Sequence, residues 1–329
     1  MKNLFKLFAL LLVLGLVGLA LAAAWFLRWD EIEPPDLPGV VEGGVMQHGD
    51  YDRRWLAYVP ASRPASPPLL LILHGSLSDG PGMRASAFYS FDVQAERSGF
   101  IAVYPNGIEN HWNDCRPNAS YAANQLQVDD VGYLRRLVAD LVTRYGADPA
   151  RVFVTGLSNG GHMAYRLALE APDLIAGGAA IAASLPTAAN LGCESRGEPV
   201  AMLVMNGTED PISPDAGGVV ELLGDSSRGE VMSSMDTARY WAQLAGHDLA
   251  AVQRSSSDGN PDDGTRVVRY AWRAPGRVPV ELVSLEGGGH TFPHPVFSLP
   301  RILGPTSHEL DGAEVIWAFF DSVAISDRR

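Results

Sequence analysis

The chain has 329 residues, 47% hydrophobic and 19% charged, a balance that excludes a disordered polar chain and suits one large core. Its net charge of −13 offers no basic field to a phosphate backbone, which excludes nucleic acid as the expected partner. Two cysteines, Cys115 and Cys193, are too few for a disulfide-built scaffold or a thiolate zinc site, and enough for one bridge in an oxidising compartment.

Residues 1–28 hold the first element. Its 7–27 stretch is uncharged and overwhelmingly apolar, follows Lys2 and Lys6, and as a helix just crosses a hydrocarbon core of about 30 Å. This predicts export, with Lys2 and Lys6 inside and everything after Arg28 outside, so that any membrane contact runs through 7–27. Two fates stay open. Ala20-Leu21-Ala22 is a small-x-small site for cleavage of a signal peptide, whereas Trp25 and Trp29 sit where the aromatic belt of an uncleaved anchor would. Residues 29–43, with prolines at 34, 35 and 38, read as a linker.

The remaining 44–329 read as one domain. Residues 45–46 and 55–59 suggest an antiparallel hairpin on a sheet edge, with polar 47–54 as its turn. Apolar runs at 69–73, 101–104, 152–155, 179–183, 202–205 and 281–285 alternate with helical patterns. That rhythm predicts an α/β fold with a mostly parallel sheet and helices on both faces. Leu134, Leu137, Val138, Leu141, Val142 and Tyr145 line one helical face, capped by Asp129 or Asp130 and closed by Gly146. The 213–234 segment, rich in Gly, Ser and Asp, interrupts the rhythm as a lid or a plain loop. A last helix covers 314–323.

The chemistry sits where strands end. Gly156-Leu157-Ser158-Asn159-Gly160 places a serine between a strand and a helix, the pattern of a nucleophile elbow. A hydroxyl is unreactive at neutral pH unless an imidazole takes its proton, and the imidazole needs an acceptor on its other nitrogen. Asp210, in the turn after the 202–205 strand, is the expected acid, with Glu209 and Asp215 as rivals. His290, after three glycines beyond the 281–285 strand, is the expected base, with His294 as rival. His48, His111, His162, His247 and His308 read as surface or packing residues, and His74 suits a hydrogen-bonded loop position at least as well as a catalytic one. The expected oxyanion donors are the N–H groups of Asn159 and Ser76. The chain order Ser158, Asp210, His290 is that of the α/β-hydrolases. No metal or cofactor is called for.

Several motifs extend this reading: Leu56-Ala57-Tyr58-Val59-Pro60, Leu73-His74-Gly75-Ser76, Tyr104-Pro105-Asn106-Gly107, Trp112-Asn113, Val128-Asp129-Asp130-Val131, Gly156 to Gly161, Asn206-Gly207-Thr208-Glu209-Asp210 and Gly287 to Pro293. Through them the chain from about Gly44 to Ala318 resembles the LpqC / polyhydroxybutyrate depolymerase-type esterases, a group that includes feruloyl and acetylxylan esterases. The resemblance implies an α/β-hydrolase fold and ester hydrolysis by Ser158, Asp210 and His290, with Ser76 and Asn159 as oxyanion donors. It departs where the group often carries a further cysteine pair in its last third and a cysteine at the position of Ser76. The chain ends soon after its last helix, which leaves no room for a polymer-adsorbing module and turns the expectation toward soluble short-chain, hydroxyalkanoate-oligomer, acetyl or feruloyl esters. Trp112 is expected to stack on an acyl or sugar ring, or else to pack. Outside the cytoplasm Cys115 and Cys193 are expected to pair. The competing readings are a serine peptidase of the same fold and an inactive, membrane-tethered binding module. The sequence leaves the oligomeric state open.

Overall fold

Helix α1 (Lys2–Leu27) leads a computed structural model that describes residues 2–326, so the expected segment limits at 1 and 329 lie outside the described residues. Its stretch Phe5–Leu27 is long and apolar enough to cross a membrane, and none of it is buried against the protein. Strands β1 (Val40–His48) and β2 (Tyr51–Val59) follow as a hairpin in which Val40 faces Val59 and His48 faces Tyr51. Only Gly49 and Asp50 form the turn, with Gly49 at a left-handed φ of 57°. The expected turn at 47–54 is therefore corrected: all of its residues but Gly49 and Asp50 are strand residues. Arg53 in particular is buried and bonded to Asp130 at 2.5 Å.

The expected linker at 29–43 is corrected as well. Its end is already β1, and its beginning is strapped to the domain by Asp30, whose N–H donates to Ser298 O at 2.9 Å and whose carboxylate accepts from Ser298 N–H at 2.8 Å. Ile32 and Leu37 pack on the core beneath it.

Beyond the hairpin come β3 (Leu69–Leu73), α2 (Gly80–Ser86), α3 (Ser90–Ser98), β4 (Ile101–Pro105), α4 (Ala122–Gln125), α5 (Asp130–Tyr145), β5 (Val152–Leu157) and α6 (Asn159–Glu170). The second half holds β6 (Gly177–Ile181), β7 (Ala201–Gly207), the short β8 (Gly218–Val219) and β9 (Glu230–Val231), α7 (Ser234–Leu244), β10 (Gln253–Ser257), β11 (Arg266–Trp272), β12 (Val280–Glu286) and α8 (Gly312–Ser326). Among the described residues, ten strands make one sheet in the order β1-β2-β4-β3-β5-β6-β7-β12-β11-β10. From β4 to β12 all pairings are parallel, and both ends are antiparallel. The β10–β11 end was not expected, because Gln253-Arg254-Ser255-Ser256-Ser257 carries no apolar alternation.

The parallel strands are buried along nearly their whole length because helices cover both faces. On one side α5, α6 and α7 contribute Leu134, Leu137, Met163, Tyr165 and Trp241. On the other α3 and α8 contribute Phe91, Ile316, Phe319 and Phe320, each worth roughly 1.5–3 kcal/mol of burial. Helix α5 is capped by Asp129, whose side chain accepts from Gly132 N–H, and ends at left-handed Gly146. Asp130 is instead a buried partner of Arg53, and burial pushes its carboxyl up.

Candidate active site

The carboxyl ends of β3, β5, β7 and β12 deliver Ser76, Ser158, Asp210 and His290 to one edge of the sheet. Ser158 leaves β5 at φ 55° and ψ −116°, a strained conformation for a residue with a side chain. Its N–H donates to Ile181 O at 2.8 Å, which pins the turn to the neighbouring strand. The flanking glycines are required by close approach: a Cβ on Gly156 would lie 2.3 Å from the Gly160 carbonyl, and one on Gly160 would lie 2.2 Å from Leu73 O.

Asp210 points both carboxylate oxygens at fixed donors. Oδ1 accepts from the N–H groups of Ile212 and Ser213, each at 2.8 Å, and Oδ2 meets His290 Nδ1 at 2.7 Å. The two side chains are almost fully buried. With Nδ1 committed to Asp210, Nε2 is the ring nitrogen left for a serine proton. The loops that carry the pair lean on each other backbone to backbone. Glu209 N–H donates to Gly288 O at 2.8 Å, Gly289 N–H to Pro305 O at 2.7 Å and His290 N–H to Leu303 O at 2.6 Å. A Cβ on Gly207 would sit 2.2 Å from Gly288 O.

The partner of His290 is thus Asp210 and not one of its rivals. Glu209 is exposed, and Asp215 accepts the Ser234 N–H through its carbonyl at the start of α7. His294 Nδ1 accepts from Val296 and Phe297, and its ring packs between Phe88 and Phe297. His111 stacks on Tyr121, His48 meets Asp129, His247 meets the Val278 carbonyl and His308 the His294 carbonyl. His162 is fully buried, which holds its imidazole neutral well below the ordinary histidine range.

Asn159 opens α6, so its N–H lacks an intrahelical partner and is free for an oxyanion. Its side chain points the other way, into a buried polar set. Oδ1 accepts from Trp112 N–H at 2.7 Å, and Nδ2 donates to Trp112 O at 3.1 Å and to Asp114 Oδ2 at 2.7 Å. Asp114 pairs with Arg116 at 2.5 Å. Burial alone would raise its carboxyl, but the Arg116 charge and hydrogen bonds hold it well below the usual carboxylate range.

His74 supports the Ser76 loop. Gly107 N–H donates to its Nε2 at 2.8 Å, so the proton sits on Nδ1 and is donated to Gly75 O at 2.8 Å. Burial pushes its pKa down to about 4, which keeps this tautomer neutral. Trp112 lies beneath it with its indole N–H on His74 O at 3.0 Å. The expectation that Trp112 stacks on substrate is therefore corrected: the side chain is fully buried under the cleft, where it finds both an apolar environment and an acceptor. Cys115 and Cys193 form a disulfide, and Gly192 N–H donates to Cys115 O beside it.

Ser76, Ser158 and His290 line a cleft of about 350 Å³ whose other walls include Leu157, Ile212, Leu222, Leu299, Leu303 and Trp29. A larger cavity of about 460 Å³ among Arg269, Arg273, Glu281 and Asp311 shares no residue with it. Sequence reasoning missed Trp29 as a wall residue, since its place after the apolar helix suggested only a belt. The Asp114–Arg116–Asn159 set gave no periodic signal either, since Asp114 and Arg116 stand in a loop that is polar along most of its length. The 213–234 segment is a pinned wall. Ser120 and Arg228 hold Asp225, Asn190 holds the carbonyls of Arg228 and Glu230, and Met232 N–H reaches Leu185 O. Among the described residues, no group of three or more His, Cys, Asp or Glu side chains could hold a metal ion.

No protein-family model matches the chain. NocK of Nocardia uniformis subsp. tsuyamanensis, a protein named as an esterase, is 28% identical over 80% of this chain and 77% of its own length. A poly(3-hydroxybutyrate) depolymerase of Ralstonia pickettii is 33% identical over 36% of this chain and 27% of its own. Acetylxylan esterase A of Aspergillus awamori is 30% identical over 41% of this chain and 42% of its own. The match thus spans under half the length of the last two. The solved acetyl xylan esterase from Aspergillus awamori has a TM-score of 0.53 at 20% identity, covering 77% of this chain and 95% of that one. The chain has the α/β-hydrolase fold, and its relatives are named esterase, acetylxylan esterase, feruloyl esterase and poly(3-hydroxybutyrate) depolymerase.

Proposed function

We propose that the chain is an exported serine esterase that cleaves carboxylic esters through Ser158, His290 and Asp210. The observation that carries this reading is the buried 2.7 Å pair between Asp210 Oδ2 and His290 Nδ1, with His290 lining the same cleft as Ser158. Ser158 Oγ attacks the ester carbonyl carbon while His290 Nε2 takes its proton, and Asp210 stabilises the imidazolium. The oxyanion rests on the N–H groups of Ser76 and Asn159. The carbon–oxygen bond to the alcohol breaks as His290 returns the proton to the leaving oxygen, which gives an acyl-serine. Water, deprotonated by the same imidazole, then releases the acid and restores the hydroxyl. The apolar helix α1 and the Cys115–Cys193 disulfide support a place outside the cytoplasm.

The test is Ser158→Ala, expected to keep the fold and to lose on the order of 10⁶ in kcat on p-nitrophenyl acetate. Turnover like that of the native chain would overturn the assignment of Ser158. A parallel screen of soluble esters against short peptides separates an esterase from a peptidase of the same fold.

A further inference from the structure

We propose that α1 remains attached and seats the mouth of the cleft on a lipid bilayer, so that the esters it takes are acyl esters of membrane lipids drawn from that bilayer; the proposal rests on the esterase reading above. Helix α1 ends at Leu27, and Trp29 already lines the cleft. Two residues span at most about 7 Å, comparable to the ~5–8 Å of headgroup region on each side of a bilayer. A helix that crosses the hydrocarbon therefore leaves the cleft in the headgroup layer.

The join is fixed. Arg301 places its guanidinium 4.1 Å over the Trp25 ring, Asp30 bonds Ser298 from both backbone and side chain, and the same short turn ends in Leu303, which lines the cleft and accepts the His290 N–H. The end of the apolar helix and the loop of the base are one continuous structure.

The rim around the mouth matches such a seat. Leu77, Leu223 and Ile302 come from three separate loops, adjoin the cleft residues Ser76, Leu222 and Leu303, and are all exposed, Leu223 to 83%. Leu223 also sits at a left-handed φ of 52°, ahead of Gly224, at the tip of a tight turn closed by two bonds between Leu222 and Asp225. A leucine is disfavoured there both by backbone and by water, where asparagine would satisfy both. Contact with acyl chains removes the second cost. The cleft behind this rim is walled by leucines, so an acyl chain passes from one apolar medium to another. The net charge of −13 gives the chain as a whole no general pull toward anionic headgroups, so the seat rests on α1 and the apolar rim.

The experiment reconstitutes the full chain in phosphatidylcholine vesicles that contain a fluorogenic long-chain diacyl lipid, and measures its hydrolysis beside that of p-nitrophenyl butyrate. The native chain is expected to cleave both. Leu223→Asp with Ile302→Asp is expected to lower the lipid rate by about tenfold or more and the butyrate rate by less than about twofold. Leu223→Asn, which suits the left-handed backbone, is expected to lower the lipid rate several-fold and serves if the double variant loses both activities. Lipid rates unmoved by either substitution overturn the proposal. So does cleavage of the butyrate without the lipid, or recovery from cells of a chain that starts near Ala23. Hydrolysis of neither ester by the native chain overturns the esterase reading itself.

Discussion

The two sides of the cleft are held by different means. Under Asn159 and Ser76 the support is a buried set of polar side chains, with His74, Trp112, Asp114, Arg116 and Asn159 each satisfied by the others or by a nearby backbone group. Under Asp210 and His290 it is backbone against backbone, through Gly207, Gly288 and Gly289, and at Gly207 and Gly289 a Cβ has no room. One side is specified by which side chains are present and the other by their absence. Truncating a side chain should damage the first, and adding a methyl group the second.

The largest effect should come from the polar side. Asp114→Ala leaves Arg116 buried without its partner and takes an acceptor from Asn159, and is expected to cost about 3–5 kcal/mol in denaturant unfolding. A loss below about 1 kcal/mol would show that the set is not what supports Asn159. The disulfide closes 78 residues and ties the Cys115 loop of this same side to the Cys193 loop. Cys115→Ala with Cys193→Ala is expected to lose about 2–4 kcal/mol, read in the same way.

The backbone side is tested by Gly207→Ala. Its Cβ drives the acid turn away from the loop of the base, and kcat/KM is expected to fall by about 10² with a smaller stability change than Asp114→Ala. Unchanged activity would mean that the contact with Gly288 does not set the position of His290.

The smallest effect isolates His74. Its folded-state pKa of about 4 lies below the ordinary 6.5, so on acidification the unfolded chain takes up the proton first. Stability is therefore fully present above pH ~6.5, falls as the pH drops, and is about 2 kcal/mol lower at pH 5 than at pH 7 from this group alone. His74→Gln should flatten that part of the unfolding-against-pH curve. An unaltered slope would assign it to other groups, such as the buried His162.

The backbone side of the cleft was far more legible in the sequence than the polar side. Glycines beside apolar runs mark close approach directly, so Gly156 and Gly160 pointed to Ser158 and the three glycines at 287–289 to His290, while the turn after the 202–205 strand pointed to Asp210. The polar side offered no such mark. Trp112 reads the same whether it faces a cleft or the interior, and its burial with the Nε1 bond to His74 O decides it. Residues 29–38 looked like a spacer because three prolines suit one, yet prolines also suit a strap whose hydrogen bonds are few and fall on Asp30. Strand β10 escaped notice because an edge strand needs little apolar alternation, and all five of its residues are exposed.

Those edges also bear on how chains meet at high concentration. All five residues of β10 are exposed, so a strand from another molecule that paired there would bury no apolar side chain. At the opposite edge Arg136 already occupies the Gln47 carbonyl of β1, and Arg144 and Tyr145 reach across to Glu42. An open sheet that would otherwise grow sideways from chain to chain is thus guarded at one end by polarity and flanked near the other by the side chains of α5.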